Sequence, residues 1–66
     1  MMSPSEAIAA VYSGRLVECS YADWPEIRAA LQLWAGECID CGHDIRAQIA
    51  LQEVKRLDAK FWGTPE

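Results

Sequence analysis

The three cysteines and the single histidine are the side chains of this 66-residue chain best suited to chemistry. Cys38 and Cys41 form a C-x-x-C pair, and His43 follows two residues later. Thiolates at this spacing can share a zinc ion, and Cys19 with His43 could complete a four-ligand set. The sequence has no second C-x-x-C pair, however, and the gap between Cys41 and His43 suits one tetrahedral ion poorly. We therefore expect reduced cysteines packed at a helix junction and no metal, with a zinc-organised binding module as the alternative.

Other routes to catalysis have little support in the sequence. A thioredoxin-like redox pair stands at the start of a helix that follows a β-strand in a larger sheet, which a chain of this length cannot build. The sequence has no glycine-rich phosphate loop, no G-x-S-x-G and no H-E-x-x-H motif. A chain this short also seldom forms a ligand pocket within one protomer. We predict that the protein is not an enzyme and uses no cofactor.

The composition predicts one small globular domain that spans residues 1–66. Hydrophobic residues make up 52% of the chain, which is ample for a core. A domain of about 60 residues nevertheless buries only about 60% of its unfolded surface, so a partner would help to stabilise it. There is no apolar run of the ~20 residues that a membrane span requires, and the N-terminus lacks the pattern of a signal peptide. Together with an odd number of cysteines, these features favour a cytoplasmic protein.

The charge distribution disfavours binding to nucleic acid. Ten acidic and six basic residues give a net charge of −4, whereas a phosphate-backbone binder needs a clustered positive surface. A helix-turn-helix is also disfavoured, because the candidate recognition helix begins with Asp44 and the connection before it is too long. An acidic decoy that occupies the nucleic-acid-binding surface of its target remains an alternative function.

Periodicity predicts three helices, near residues 4–13, 24–35 and 44–62. Ser3 and Glu6 form a capping box around Pro4, and Asp23 can cap the second helix ahead of Pro25. Glycines are placed to end all three helices, with Pro65 beyond the third. The predicted helix-ending residues are Ser13 with Gly14, then Gly36, then Gly63. The predicted core comprises Ile8, Val11, Trp24, Ile27, Leu31, Trp34, Leu51, Val54 and Leu57.

Residues 15–21 have a different period, in which Val17, Cys19 and Tyr21 alternate with polar side chains. Such a segment can be an extended connector, or an edge strand that pairs with a second copy of the chain or with a partner. The predicted fold is therefore mainly α: a small three-helix domain with one extended segment or edge strand (15–21) that dimerisation can complete.

The predicted binding residues are apolar side chains that three short helices cannot cover. Ile45 and Ile49 lie off the main stripe of the third helix, and four large aromatic side chains exceed what so small a core holds. We predict binding through Tyr21, Ile45, Ile49, Phe61 and Trp62. The predicted homodimer interface shares all of these except Phe61 and adds Val17 and Cys19, and we expect the dimer to be the folded unit.

Residues 14–31, GRLVECSYADWPEIRAAL, resemble strand-then-helix segments of small bacteriophage proteins. The resemblance covers about a quarter of the chain and includes no diagnostic motif, so it implies no residue roles. The function that we predict is that of a small non-enzymatic interaction or regulatory protein, of bacteriophage or mobile-element type, that binds a protein partner and forms a homodimer.

Overall fold

The computed structural model describes residues 2–62, which form three α-helices. Helix α1 spans Pro4–Tyr12, α2 spans Trp24–Asp40 and α3 spans Asp44–Trp62. None of the described residues forms a β-strand. The predicted mainly α, three-helix fold is confirmed, whereas the predicted helix ends at Gly63 and Pro65 lie outside the described residues.

Helix α1 begins and ends as its sequence predicts. The Ser3 side chain accepts a hydrogen bond from the Glu6 N–H, and the Glu6 carboxylate accepts one from the Ser3 N–H. This capping box satisfies two backbone donors that the first turn leaves unpaired. At the other end, Gly14 adopts a φ of 76°, and the Arg15 N–H bonds to the Ala10 carbonyl. Together with the bond from the Gly14 N–H to the Val11 carbonyl, this bond forms a Schellman motif, which closes the helix.

Helix α2 starts at the predicted residue, but Asp23 does not cap it as expected. Asp23 occupies the N-cap position, and its side chain makes no hydrogen bond to the helix backbone. Its carboxylate instead accepts a hydrogen bond from the Ser20 hydroxyl, and the Trp24 N–H bonds to the Ser20 carbonyl. Ser20 therefore organises the turn that leads into α2, while Pro25 suits the first helical turn.

The predicted end of α2 at Gly36 is wrong, because the helix continues to Asp40. The buried stripe runs on from Leu31 through Ala35 to Cys38, and this burial outweighs the cost of a glycine inside a helix. The end is set by Gly42, which has a φ of 84° and is followed by a bond from the His43 N–H to the Cys38 carbonyl. The expected eight-residue connection is therefore reduced to residues 41–43.

The core lies where the three helices meet, and α2 with α3 forms the largest of the helix pairings. Most of the predicted core residues are buried, while Ile8 and Trp34 are partly buried and pack against the core. Leu51 is a wrong prediction, because it is 44% exposed. Small buried side chains occupy many of the positions where the helices meet, and they allow the helix backbones to approach closely. These are the buried alanines Ala7, Ala10, Ala35, Ala47 and Ala50.

The connection between α1 and α2 crosses α3 and is held there by a clamp of two side chains. Glu53 accepts a hydrogen bond of 2.9 Å from the Val17 N–H, and Arg56 donates one to the Val17 carbonyl. Glu53 and Arg56 also form an ion pair of 2.8 Å. Both backbone groups of Val17 are thus satisfied without a strand partner, and its side chain is fully buried. Val17 belongs to the monomer core, so its predicted place in a dimer interface is wrong.

We predict that Glu53→Gln destabilises the protein and reduces its sensitivity to acid. The pKa of Glu53 lies below its ordinary value, first because of the hydrogen bond from Arg56 and then because of that from the Val17 N–H. A lowered pKa stabilises the fold at pH values above the pKa of the unfolded state, and this stabilisation is lost as the pH falls through the folded-state pKa. The loss at pH 7 should be about 2 kcal/mol, or about 10 °C in Tm.

Thermal unfolding of the wild type and Glu53→Gln between pH 7 and pH 3 measures this effect. Glu37→Gln is the matched control, because Glu37 is an exposed helical glutamate without a described side-chain bond. A Tm for Glu53→Gln equal to that of the control at pH 7 would contradict the clamp.

We further predict opposite effects of alanine substitution at Gly36, which lies within α2, and at Gly42, which lies in the connection from α2 to α3. Gly36→Ala should raise stability by about 1 kcal/mol, because alanine favours a helix and a Cβ there meets nothing within 4 Å. Gly42→Ala should lower stability by roughly 1–2 kcal/mol, because its positive φ disfavours a Cβ. Chemical denaturation of both variants measures the difference. A destabilised Gly36→Ala would indicate that α2 ends at Gly36 after all.

Candidate functional site

Four aromatic rings gather where α2 begins and α3 ends. Trp24 is the first residue of α2, and Phe61 and Trp62 are the last two of α3. Tyr21 lies in the turn before α2. Its ring centroid is 5.8 Å from that of Trp24 and 5.9 Å from that of Phe61. Trp24 also lies 5.5 Å from both Phe61 and Trp62, with Trp62 edge-on at 87°. Distances of this size are typical of stabilising aromatic pairs.

Trp24 is the fixed centre of this group. It is only 6% exposed, and its indole N–H donates a hydrogen bond of 3.1 Å to Asp58 Oδ1. Arg28 Nε lies 2.9 Å from the same oxygen and 3.1 Å from Asp58 Oδ2. One carboxylate thus joins α3 to two residues of α2 and holds the central indole in place. The pair is partly exposed, so its effect on orientation matters more than its effect on stability.

The remaining rings pack on one another and on Trp24, and two of them stay largely exposed to solvent. Trp62 is 71% exposed and Tyr21 is 67% exposed, while Phe61 is partly buried. The Lys60 ammonium lies 5.3 Å from the centroid of the Phe61 ring. We refer to Tyr21, Phe61 and Trp62 as the aromatic patch. Its three members were all predicted as binding residues from the sequence, and the fold brings them together around Trp24.

Beside the patch lies a slot of about 340 Å³, lined by Trp24, Pro25, Arg28 and Trp62. Trp24, Pro25 and Arg28 were not predicted as site residues. One signal in the sequence could have identified the role of Asp58: a buried tryptophan needs an acceptor for its indole N–H. The identity of that acceptor depends on the pairing of α2 with α3, which the sequence does not show.

Ile45 and Ile49 do not join the aromatic patch. They lie in the first turns of α3, about 25 Å and about 20 Å along the helix from Trp62, respectively. Ile45 is 74% exposed and Ile49 is 39% exposed, and their spacing of four residues places them on one side of α3. The five predicted binding residues therefore form two separate surfaces at opposite ends of the same helix.

The cysteines are divided between two places. Cys38 is buried at the end of α2, and Cys41 is exposed beside it. Both line a groove of about 280 Å³ together with His43. Cys19 lies near the other end of α3, in a groove that Lys60 also lines. Among residues 2–62 no group of three or more His, Cys, Asp or Glu side chains could hold a metal ion.

Cys19 is also poorly suited to act as a nucleophile. Burial raises the pKa of its thiol, and the nearby Asp23 carboxylate raises it further. A raised pKa leaves less of the reactive thiolate at neutral pH. The groove around Cys19 has a volume of about 610 Å³, and Glu6, Glu18 and Lys60 contribute charges of both signs to its walls.

No helix within residues 2–62 is sufficiently long and apolar to cross a membrane. No protein-family model, no curated protein and no solved structure matches the chain.

Proposed function

We propose that the chain is a small non-enzymatic interaction or regulatory protein that binds another protein through the aromatic patch. One observation carries this proposal: Trp62 and Tyr21 are 71% and 67% exposed although both rings pack against Trp24. Tryptophan and tyrosine are enriched among the residues that dominate binding energy. Rings that are already ordered lose little conformational entropy on binding, which improves affinity.

The acidic decoy has less support than binding through the aromatic patch. Two of the carboxylates form ion pairs within the chain, Glu53 with Arg56 and Asp58 with Arg28. Glu6 is engaged in the capping box of α1. Fewer carboxylates are therefore free to imitate a row of phosphates, and complex formation by a decoy would weaken steeply with salt.

The zinc-organised module also has less support. Cys19 was needed to complete the predicted four-ligand set, and it lines a groove with Lys60, near the opposite end of α3 from Cys38, Cys41 and His43. A site made only of Cys38, Cys41 and His43 would have three protein ligands, whereas structural zinc sites have four.

A homodimer through Ile45 and Ile49 is a second candidate assembly. The observation that favours it is the exposure of two isoleucines on one side of α3, away from the aromatic patch. The reasons to expect that folding requires the dimer are weaker, because Val17 has its backbone partners within the monomer. The exposed surface of 4437 Å² is also close to the roughly 4200 Å² expected of a 7.4 kDa monomer. We therefore propose that folded monomers associate.

We predict that Trp62→Ala strongly reduces capture of the protein partner from the native host. The substitution removes the most exposed ring of the patch and should weaken binding at least tenfold, as expected when a central aromatic contact is lost. Immobilised wild type and variant are compared by quantitative mass spectrometry of the captured proteins.

Leu33→Ala is the matched control, because Leu33 is 68% exposed on a different part of the surface. A partner retained by the wild type and Leu33→Ala but lost with Trp62→Ala would support the proposal. Equal capture by all three proteins would show that the patch is not the binding surface.

We predict that sedimentation equilibrium at micromolar concentration detects a dimer, and that Ile45→Asp converts it to a folded monomer. A buried charge opposes association, while a side chain that is 74% exposed in the monomer tolerates the change. Leu33→Asp should leave the dimer intact. A wild-type protein that sediments as a folded species of 7.4 kDa would refute the dimer.

A further inference from the structure

The walls of the slot beside the aromatic patch are mostly apolar, with Arg28 as the one charged side chain among its lining residues. The Trp62 ring stands at 87° to that of Trp24, so it forms a wall next to the ring of Pro25. The volume of about 340 Å³ lies at the lower end of the range for ligand sites, roughly 300–1,000 Å³. A slot of this volume suits a narrow apolar segment better than a helix, which is about 10–12 Å across with its side chains.

The polar groups at the slot are hydrogen-bond donors. Arg28 uses Nε for Asp58 and Nη1 for Gln32, and its Nη2 has no partner among residues 2–62. Trp62, which is 71% exposed, carries an indole N–H donor and no strong acceptor. None of the side chains of Trp24, Pro25, Arg28 and Trp62 carries a strong hydrogen-bond acceptor. The slot therefore offers N–H groups to a ligand that supplies acceptors.

The electrostatics favour a neutral ligand over an anion. The Arg28 guanidinium lies 2.9 Å from the Asp58 carboxylate, so its positive charge is already paired. An anionic group would have to compete with Asp58 for the same guanidinium, whereas a peptide carbonyl can accept from Nη2 without disturbing the ion pair. The net charge of −4 also opposes an acidic ligand.

From these features we infer that the slot binds a proline-rich segment of the protein partner in the polyproline II conformation. Such a segment presents apolar rings and backbone carbonyls, and its proline residues carry no N–H donors. One turn has three residues and a length of about 9 Å. Its fixed conformation loses little entropy on binding, and aromatic-lined grooves are the usual sites that recognise it. This inference rests on the proposed function and names the chemistry of the partner.

The test is a titration of the full chain with acetylated, amidated decaproline, followed by calorimetry and by the NMR signals of the indole N–H groups. We expect saturable binding that shifts the Trp62 indole signal. Trp62→Ala should weaken binding at least tenfold. Trp62→Phe keeps a ring and removes the N–H, so it should weaken binding by roughly 3- to 10-fold. Leu33→Ala should bind like the wild type, and a glycine–serine peptide of equal length should not bind.

The possible outcomes separate the inference from the proposed function. If decaproline does not bind while Trp62→Ala still loses the captured partner, the inference is wrong and the proposed function stands. If capture is indifferent to Trp62→Ala, both are wrong. Tighter binding of an acidic peptide than of decaproline would also overturn the inference. If Trp62→Ala changes the sedimentation of the protein alone, a second copy occupies the slot and the inference again fails.

Discussion

The clamp that Glu53 and Arg56 place on the backbone of Val17 is the interaction on which the rest of the structure depends. Residues 13–23 form a long connection with little regular structure of its own, and a buried N–H or carbonyl without a partner would cost about 1–3 kcal/mol. Because both groups of Val17 bond to α3, its side chain can enter the core. The same attachment directs the chain toward the end of α3, where Tyr21 meets Phe61.

Features set by neighbouring residues could be predicted from the sequence, and features set by distant residues could not. The capping box of Ser3 and Glu6 and the glycine after α1 involve residues three to five positions apart. The end of α2 could not be predicted because Gly36 resembles a helix stop, whereas the burial of Ala35 and Cys38 that continues the helix depends on packing against distant residues. Leu51 continues an apolar stripe, but α1 and α2 are too small to cover the whole stripe.

The candidate site shows the same division. Phe61 and Trp62 could be predicted as surplus aromatic residues, because a small core has limited room for them, and Tyr21 could be predicted from the extended segment 15–21. Their gathering around Trp24 follows from the antiparallel pairing of α2 with α3, and the bond from Trp24 to Asp58 spans 34 positions in the sequence. Glu53 and Arg56 look like an ordinary surface pair three residues apart on one helix. Nothing local to that pair indicates that it also binds Val17.

The pairing of α2 with α3 and the pairing of α1 with α3 differ in the length of the chain segment that connects the two helices. A connection of only three residues joins α2 to α3, and this pair forms the largest helix pairing, so its contacts close short loops at a small entropic cost. Helix α1 reaches α3 only after a much longer segment has been ordered. We therefore expect the α2–α3 hairpin to assemble before α1 docks, because its contacts are the more local ones. The rings of Trp24 and Phe61 both belong to this hairpin, so we expect their contact, around which the aromatic patch gathers, to form before α1 docks.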